Sequence, residues 1–184
     1  MPLNAAEQFL LEMVNRARLN PAAEAARFGI NLNAGLAAGT LEAGSRQVLA
    51  PNALLEDAAT SHSLWMLSAD VFSHTGAGGS SPGMRAADAG YDWNNIAENI
   101  AFRGTSAGLS LAGVIDEQHR DLFLSASHRV NLLNDTYREI GLGQEGGSYR
   151  SGGTSYQGGM LTELFGRSGP AHFLTGVAYG DRDG

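Results

Sequence analysis

Residues 137–166 read YREIGLGQEGGSYRSGGTSYQGGMLTELFG. Short runs of apolar and polar residues are separated by clustered glycines, which predicts two or three antiparallel strands joined by a glycine-rich hairpin. Glycine also admits close approach of neighbouring backbone, so tight packing is expected here. Upstream of this stretch the periodicity changes. Asn4 followed by Glu7 is an N-cap with a capping-box partner, and Leu10, Met13, Val14 and Ala17 recur at helical spacing. Asn20-Pro21 ends that helix and opens another, with Gly29 as its stop, so helices are expected over 5–19 and 21–28. Residues 30–50 are weakly patterned and read as loop. A helix over 53–69 follows Pro51-Asn52, and its apolar face carries Leu55, Ala58, Ala59, His62, Trp65 and Met66. Residues 72–90 form a glycine-rich loop with a short helix at 82–89, and helices are expected over 108–123 and 125–133. The run NIAENIAF at 95–102 fits a buried turn, a short strand or a helix. Helices first and the clearest strands last point to an α+β chain or a three-layer sandwich, not a doubly wound parallel sheet.

The bulk properties narrow the function. The chain has 184 residues, enough for one domain with a sizeable core. Its net charge is -7, and its twelve cations are all Arg with no dense run of them. A nucleic-acid partner is therefore not expected, because phosphate binding needs clustered cations. There is no Cys, which excludes disulfides and thiolate metal sites. No apolar stretch reaches the roughly 18 residues of a membrane-spanning helix. The opening Met-Pro-Leu carries no visible signal peptide and reads as a mature or engineered start. The closing FLTGVAYGDRDG suggests a last strand and then a D-x-D-G ending at 181–184. That ending is half of a calcium-loop signature and is expected to open a linker or a further module.

Three segments carry residues capable of chemistry: FSHTG with His74, IAENIA with Glu98, and SASHRVNLL with His128. Two imidazoles and a carboxylate converging in a cleft suit a divalent cation or general acid–base work. No HExxH, GxSxG or Walker loop is present. Each residue also has a purely structural reading. His74 could stabilise its loop, Glu98 could accept backbone N–H bonds as a buried carboxylate, and His62 fits a satisfied core histidine. Arg129 is expected to tie its helix to neighbouring carboxylates. His172 reads as incidental, Glu139 as a surface charge, and Glu163 as a strand residue that could face the cleft. Asp116 and His119 stand at i, i+3, so they can touch, and the pair fits either a support of the cleft or a surface ion pair.

The segments LLEMVNRARLNPAAEAARFGI, HSLWM, FSHTG, AENIA and SxxHRVNLL together resemble the CAP superfamily (cysteine-rich secretory proteins, antigen 5, pathogenesis-related one), in its cysteine-free bacterial branch. The resemblance runs over roughly residues 5–177, so 1–177 is expected to be the CAP domain and 178–184 a tail. It implies an α+β fold, a three-layer α/β/α sandwich with a central antiparallel sheet. It also implies a cleft with two His and two acidic residues, which in some members holds zinc, magnesium or calcium. His74 and His128 match the two His and are the expected metal ligands. Glu98 matches the acidic residue of the family's G-E-N motif, with Ala97 in place of Gly, and Glu117 stands in the region of the second Glu, beside His119.

The resulting expectation is a secreted or cell-surface monomer. Its cleft would bind a divalent cation, zinc first, and an extracellular ligand that is a lipid, a glycan or a peptide. The alternatives are a metal-assisted hydrolase with Glu98 as its base, and an adhesion or anchoring domain of a larger surface protein. Two His without a certain third ligand make an incomplete catalytic zinc site.

Overall fold

A computed structural model describes residues 3–105 and 111–173 of the chain. The first helix, α1 (Ala5–Leu19), starts at Asn4, whose side chain accepts from Ala6 and Glu7 N–H while Glu7 reaches back in a capping box. Asn20 ends α1 and caps α2 (Pro21–Arg27). After a loop and the two-residue strand β1 (Ala50–Pro51) come α3 (Ala53–Ala69), capped by Asn52, and α4 (Pro82–Asp88), capped by Ser81. The strand β2 (Asn95–Thr105), the helices α5 (Leu111–Leu124) and α6 (Ala126–Leu132), and the long hairpin β3 (Glu139–Ser151)/β4 (Thr154–Arg167) complete the described residues.

The expected hairpin forms with Ser151 opposite Thr154. Gly152 and Gly153 between them have φ of 57° and 84°. Positive φ at both central positions is the tight-turn geometry that matches strand twist, and it is strained for residues with a Cβ. The sheet order is β1-β3-β4-β2. The β2–β4 and β3–β4 pairs are antiparallel, whereas β1 runs parallel to β3. The sheet is thus antiparallel except at the β1 edge.

Helices cover both faces, giving the α/β/α sandwich. On one face Leu10, Val14, Ile115, Phe123 and Leu132 pack with Leu142, Leu161 and Phe165. On the other, α3 and α4 pack with Ile96, Ile100, Met160 and Leu164. Alternate strand residues therefore serve alternate layers. The glycines of IGLG let α3 lie directly on β3: a Cβ at Gly141 would collide with the Leu55 backbone, and one at Gly143 with that of Ala59.

Several expectations change. NIAENIAF is strand, because all of 95–105 pairs with β4. Glu139 is buried, accepting from Asn52, Tyr91 and Ser168. Arg129 is fully buried and donates to the backbone carbonyls of Leu32, Ala34, Phe123 and Leu124, not to carboxylates. Arg18 likewise donates to the carbonyls of Gln47, Leu132 and Asn134, and Arg46 to those of Glu42, Gly44 and Leu133, with Asp135 Oδ1 3.6 Å from its Nε. The irregular backbone of 30–50 has no ladder to satisfy its carbonyls, and buried carbonyls need donors. The last strand and the D-x-D-G ending lie outside the described residues.

Candidate functional site

Strand β2 is the edge of the sheet, and its adjacent residues Glu98 and Asn99 serve opposite layers. The Glu98 side chain is 1% exposed. Its Oε1 accepts from His74 Nδ1 at 2.8 Å, and its Oε2 accepts from Arg85 Nη2 at 2.5 Å. Arg85 also donates to the carbonyls of His74 and Ser80, so α4 clamps the glycine-rich loop onto β2. Because the carboxylate receives the Nδ1 proton, Nε2 of His74 is the nitrogen available to a ligand, and this side chain is 52% exposed.

His62 stands behind this pair, with Nε2 3.8 Å from Glu98 Oε1. Its Nε2–H donates to the Ser73 carbonyl at 2.9 Å, and its ring stacks on Trp65. Burial pushes its pKa down, against the pull of Glu98, so the ring is neutral at pH 7. Its Nδ1 is buried with no hydrogen-bond partner. Gly76 explains how the loop closes over it: a Cβ there would stand 2.8 Å from Ser80 Oγ, 2.9 Å from Arg85 Nη1 and 3.1 Å from His62 Nδ1.

His128 approaches from the other layer, on α6. Burial lowers its pKa, and His74 lowers it further by charge repulsion. Asn131, on the same helix, donates to Asn99 Oδ1 at 2.9 Å and to the Glu98 carbonyl at 3.5 Å. Asn99 in turn donates to the His128 carbonyl at 3.3 Å and to Glu163 Oε2 at 3.0 Å. The HRVN stretch thus docks α6, and with it His128, on the β2 edge through Asn131 and the His128 carbonyl.

The structure therefore brings His74, Glu98 and His128 to one strand edge. It does not bring Glu117 or His119 to them. Glu117 is 55% exposed, and its carboxylate lies 3.7 Å from Arg103. His119 is fully buried, and its partner is Glu24 at 3.0 Å, not Asp116. Two α5 residues expected near the cleft thus face solvent and the α1/α2 layer instead. Arg85 and His62 complete the first circle around Glu98. Arg85 was legible as the only cation in the glycine-rich segment 72–90, next to FSHTG.

The donor set does not fit a catalytic zinc site. Both Glu98 oxygens are engaged, and a guanidinium lies against one of them. Among the described residues no group of three or more His, Cys, Asp or Glu side chains could hold a metal ion.

Residues 11–159 match the family described as CAP, the Cysteine-rich secretory protein family. The chain belongs to the CAP family. Two solved structures share its fold. One is an outer surface protein from Borrelia burgdorferi, 16% identical, with a TM-score of 0.56 over 91% of this chain and 96% of that one. The other is an extracellular protein containing a SCP domain from Bacillus anthracis, 19% identical, with a TM-score of 0.53 over 91% of this chain. This CAP chain spans 45% of the length of the Bacillus anthracis protein. No curated protein sequence matches it. Among the described residues of the CAP domain, no helix is long and apolar enough to cross a membrane.

Proposed function

We propose that this CAP domain is an extracellular binding module whose ligand docks at the β2 edge, between His74 and His128. One observation carries the reading. Glu98 is buried and fully engaged by His74 and Arg85, so it orients an imidazole instead of acting as a base, and the outward Nε2 of His74 remains for a polar group of the ligand. The neutral ring of His128 supplies a second, adjacent hydrogen-bonding site. Extracellular placement is carried over from the two proteins of like fold. A zinc, magnesium or calcium ion in the cleft would rest on two imidazoles, so its remaining ligands would have to come from solvent or the bound molecule.

The test extracts the purified protein for bound lipid. It then measures binding of a fatty acid, a sterol, a chitooligosaccharide and a peptide library to the wild type, His74→Ala and His128→Ala. The expected result is one class bound, at least tenfold more weakly by both variants, with no turnover in a peptide, ester and glycan hydrolysis screen. Binding unchanged in both variants would remove the cleft from the reading. Turnover lost on His74→Ala would replace a binding module by an enzyme. Metal analysis after chelator-free purification checks the ion: stoichiometric metal in the wild type and none in the variants would restore a metal centre.

A further inference from the structure

Glu163 lies on β4, opposite Asn99 of β2 and Leu142 of β3, and is completely buried. A buried carboxylate ordinarily has a cation or several N–H donors. Glu163 has one donor, the Asn99 amide on Oε2, and its Oε1 has no partner. The inward charged or titratable residues of the helices on this face are Glu7 and Arg18 of α1, Glu24 of α2, His119 of α5, and His128 and Arg129 of α6. Arg18 and Arg129 are engaged by backbone carbonyls, Glu24 and His119 by each other, and Glu7 by Asn4. On the strands, Glu98 and Glu139 face the other layer. Burial is what raises the Glu163 pKa, to about 7, opposed only by the Asn99 hydrogen bond.

The Asn99 amide links this carboxyl to the cleft. Its NH2 is divided between Glu163 Oε2 at 3.0 Å and the His128 carbonyl at 3.3 Å, and its Oδ1 is held by Asn131. We propose that Glu163 is a proton-linked positioning residue that controls, through Asn99, how α6 presents His128 at the cleft. When Glu163 is neutral, the Asn99 amide is shared between strand and helix. When it loses its proton, the hydrogen bond to Oε2 becomes charge-assisted and roughly twice as strong. The amide is then drawn toward Glu163 and away from the His128 carbonyl, which weakens the tie between α6 and β2. The His128 end of the cleft is therefore held more firmly below neutral pH than above it.

The inference rests on the reading of His128 as a cleft residue. The test needs no ligand, so the switch can fail while binding stands, and the reverse. The 184-residue chain labelled with 13C and 15N is titrated by NMR, following the Glu163 carboxyl carbon, the Asn99 side-chain amide and the His128 carbonyl carbon. The expected result is one common midpoint near pH 7 for all three. In Glu163→Gln that midpoint vanishes from Asn99 and His128, leaving only the more acidic titration of the His128 ring. In Asn99→Ala, Glu163 still titrates and the His128 carbonyl no longer follows it. Titration of Glu163 in the ordinary carboxylate range overturns the proposal. So does a His128 response that survives Glu163→Gln or Asn99→Ala. If Glu163→Gln does not fold, the wild type and Asn99→Ala decide the matter alone.

Discussion

Glu24 and Glu163 are both buried, on the same side of the sheet, yet their surroundings act on them in opposite directions. Glu24 sits between α1 and α5, with Arg16 Nη2 2.6 Å from Oε1 and His119 Nε2 3.0 Å from the same oxygen. Burial pushes its pKa up, but hydrogen bonds from His119 and Arg16 outweigh burial and bring it down to about 2. Glu163 has only a neutral amide, and burial takes it up to about 7. The lesson is that burial alone does not set the charge state of an interior carboxylate; the number of cations that can reach it does. One Glu is a structural brace, and the other retains a proton that can be exchanged near neutral pH.

Removing the brace should have the largest effect. Glu24→Gln removes the negative charge and puts a donor NH2 where one of the two accepting oxygens stood, so Arg16 and the buried His119 are left to a single neutral oxygen, and urea unfolding at pH 7 should show a loss of about 3 kcal/mol. The pH dependence gives the sign. A carboxylate whose folded pKa is depressed stabilises above its unfolded value and loses that stabilisation as pH falls toward about 2. Wild-type stability should therefore drop on acidification in that window, and the Glu24→Gln curve should be flatter there. A variant as stable as the wild type at pH 7 would break the comparison.

The opposite sign is expected for Glu163→Gln. The folded state holds this proton more tightly than the unfolded chain, so stability should decline as pH rises from the ordinary 4.5 to about 7. That interval corresponds to roughly 3 kcal/mol at 1.36 kcal/mol per pH unit, as an upper bound. Relative to its difference from the wild type at pH 4, Glu163→Gln should gain on the wild type by up to that amount at pH 8, read from chemical denaturation at the two pH values. A penalty at pH 8 would show that the charge is compensated after all.

Glu98 has two side-chain partners, His74 and Arg85, and the first of them stands on an exposed loop. Gly76→Ala probes this arrangement, because the new methyl group presses on Arg85, Ser80 and His62 together. The expected cost is about 1–2 kcal/mol, with a perturbed His74 ring signal as Arg85 is displaced from Glu98. Glu117→Ala is the control: with 55% of the side chain exposed, it should change stability by no more than about 0.5 kcal/mol.

Much of this was readable from local order. Asn4 with Glu7, Asn20-Pro21 and Asn52 mark helix starts because capping chemistry acts over three or four residues. The hairpin was readable because a two-residue turn with positive φ calls for glycine. FSHTG and AENIA carry His74 and Glu98, which bond to each other, and SxxHRVNLL carries His128, whose carbonyl is held by Asn99 of β2. Other features depend on contacts between residues far apart in the chain. Glu139, Glu163 and His119 look like any surface charge in a one-dimensional reading, and burial separates them from Glu117. The partner of His119 is 95 residues away, beyond the Asp116 that local spacing suggested. Sequence alone determined the capped starts of the first three helices, the hairpin and the family, because those signals are short-range or carried by ordered motifs. The tertiary structure decided which carboxylates are buried and which of them meet a cation, because pKa follows desolvation and neighbouring charge, and both exist only once the layers pack.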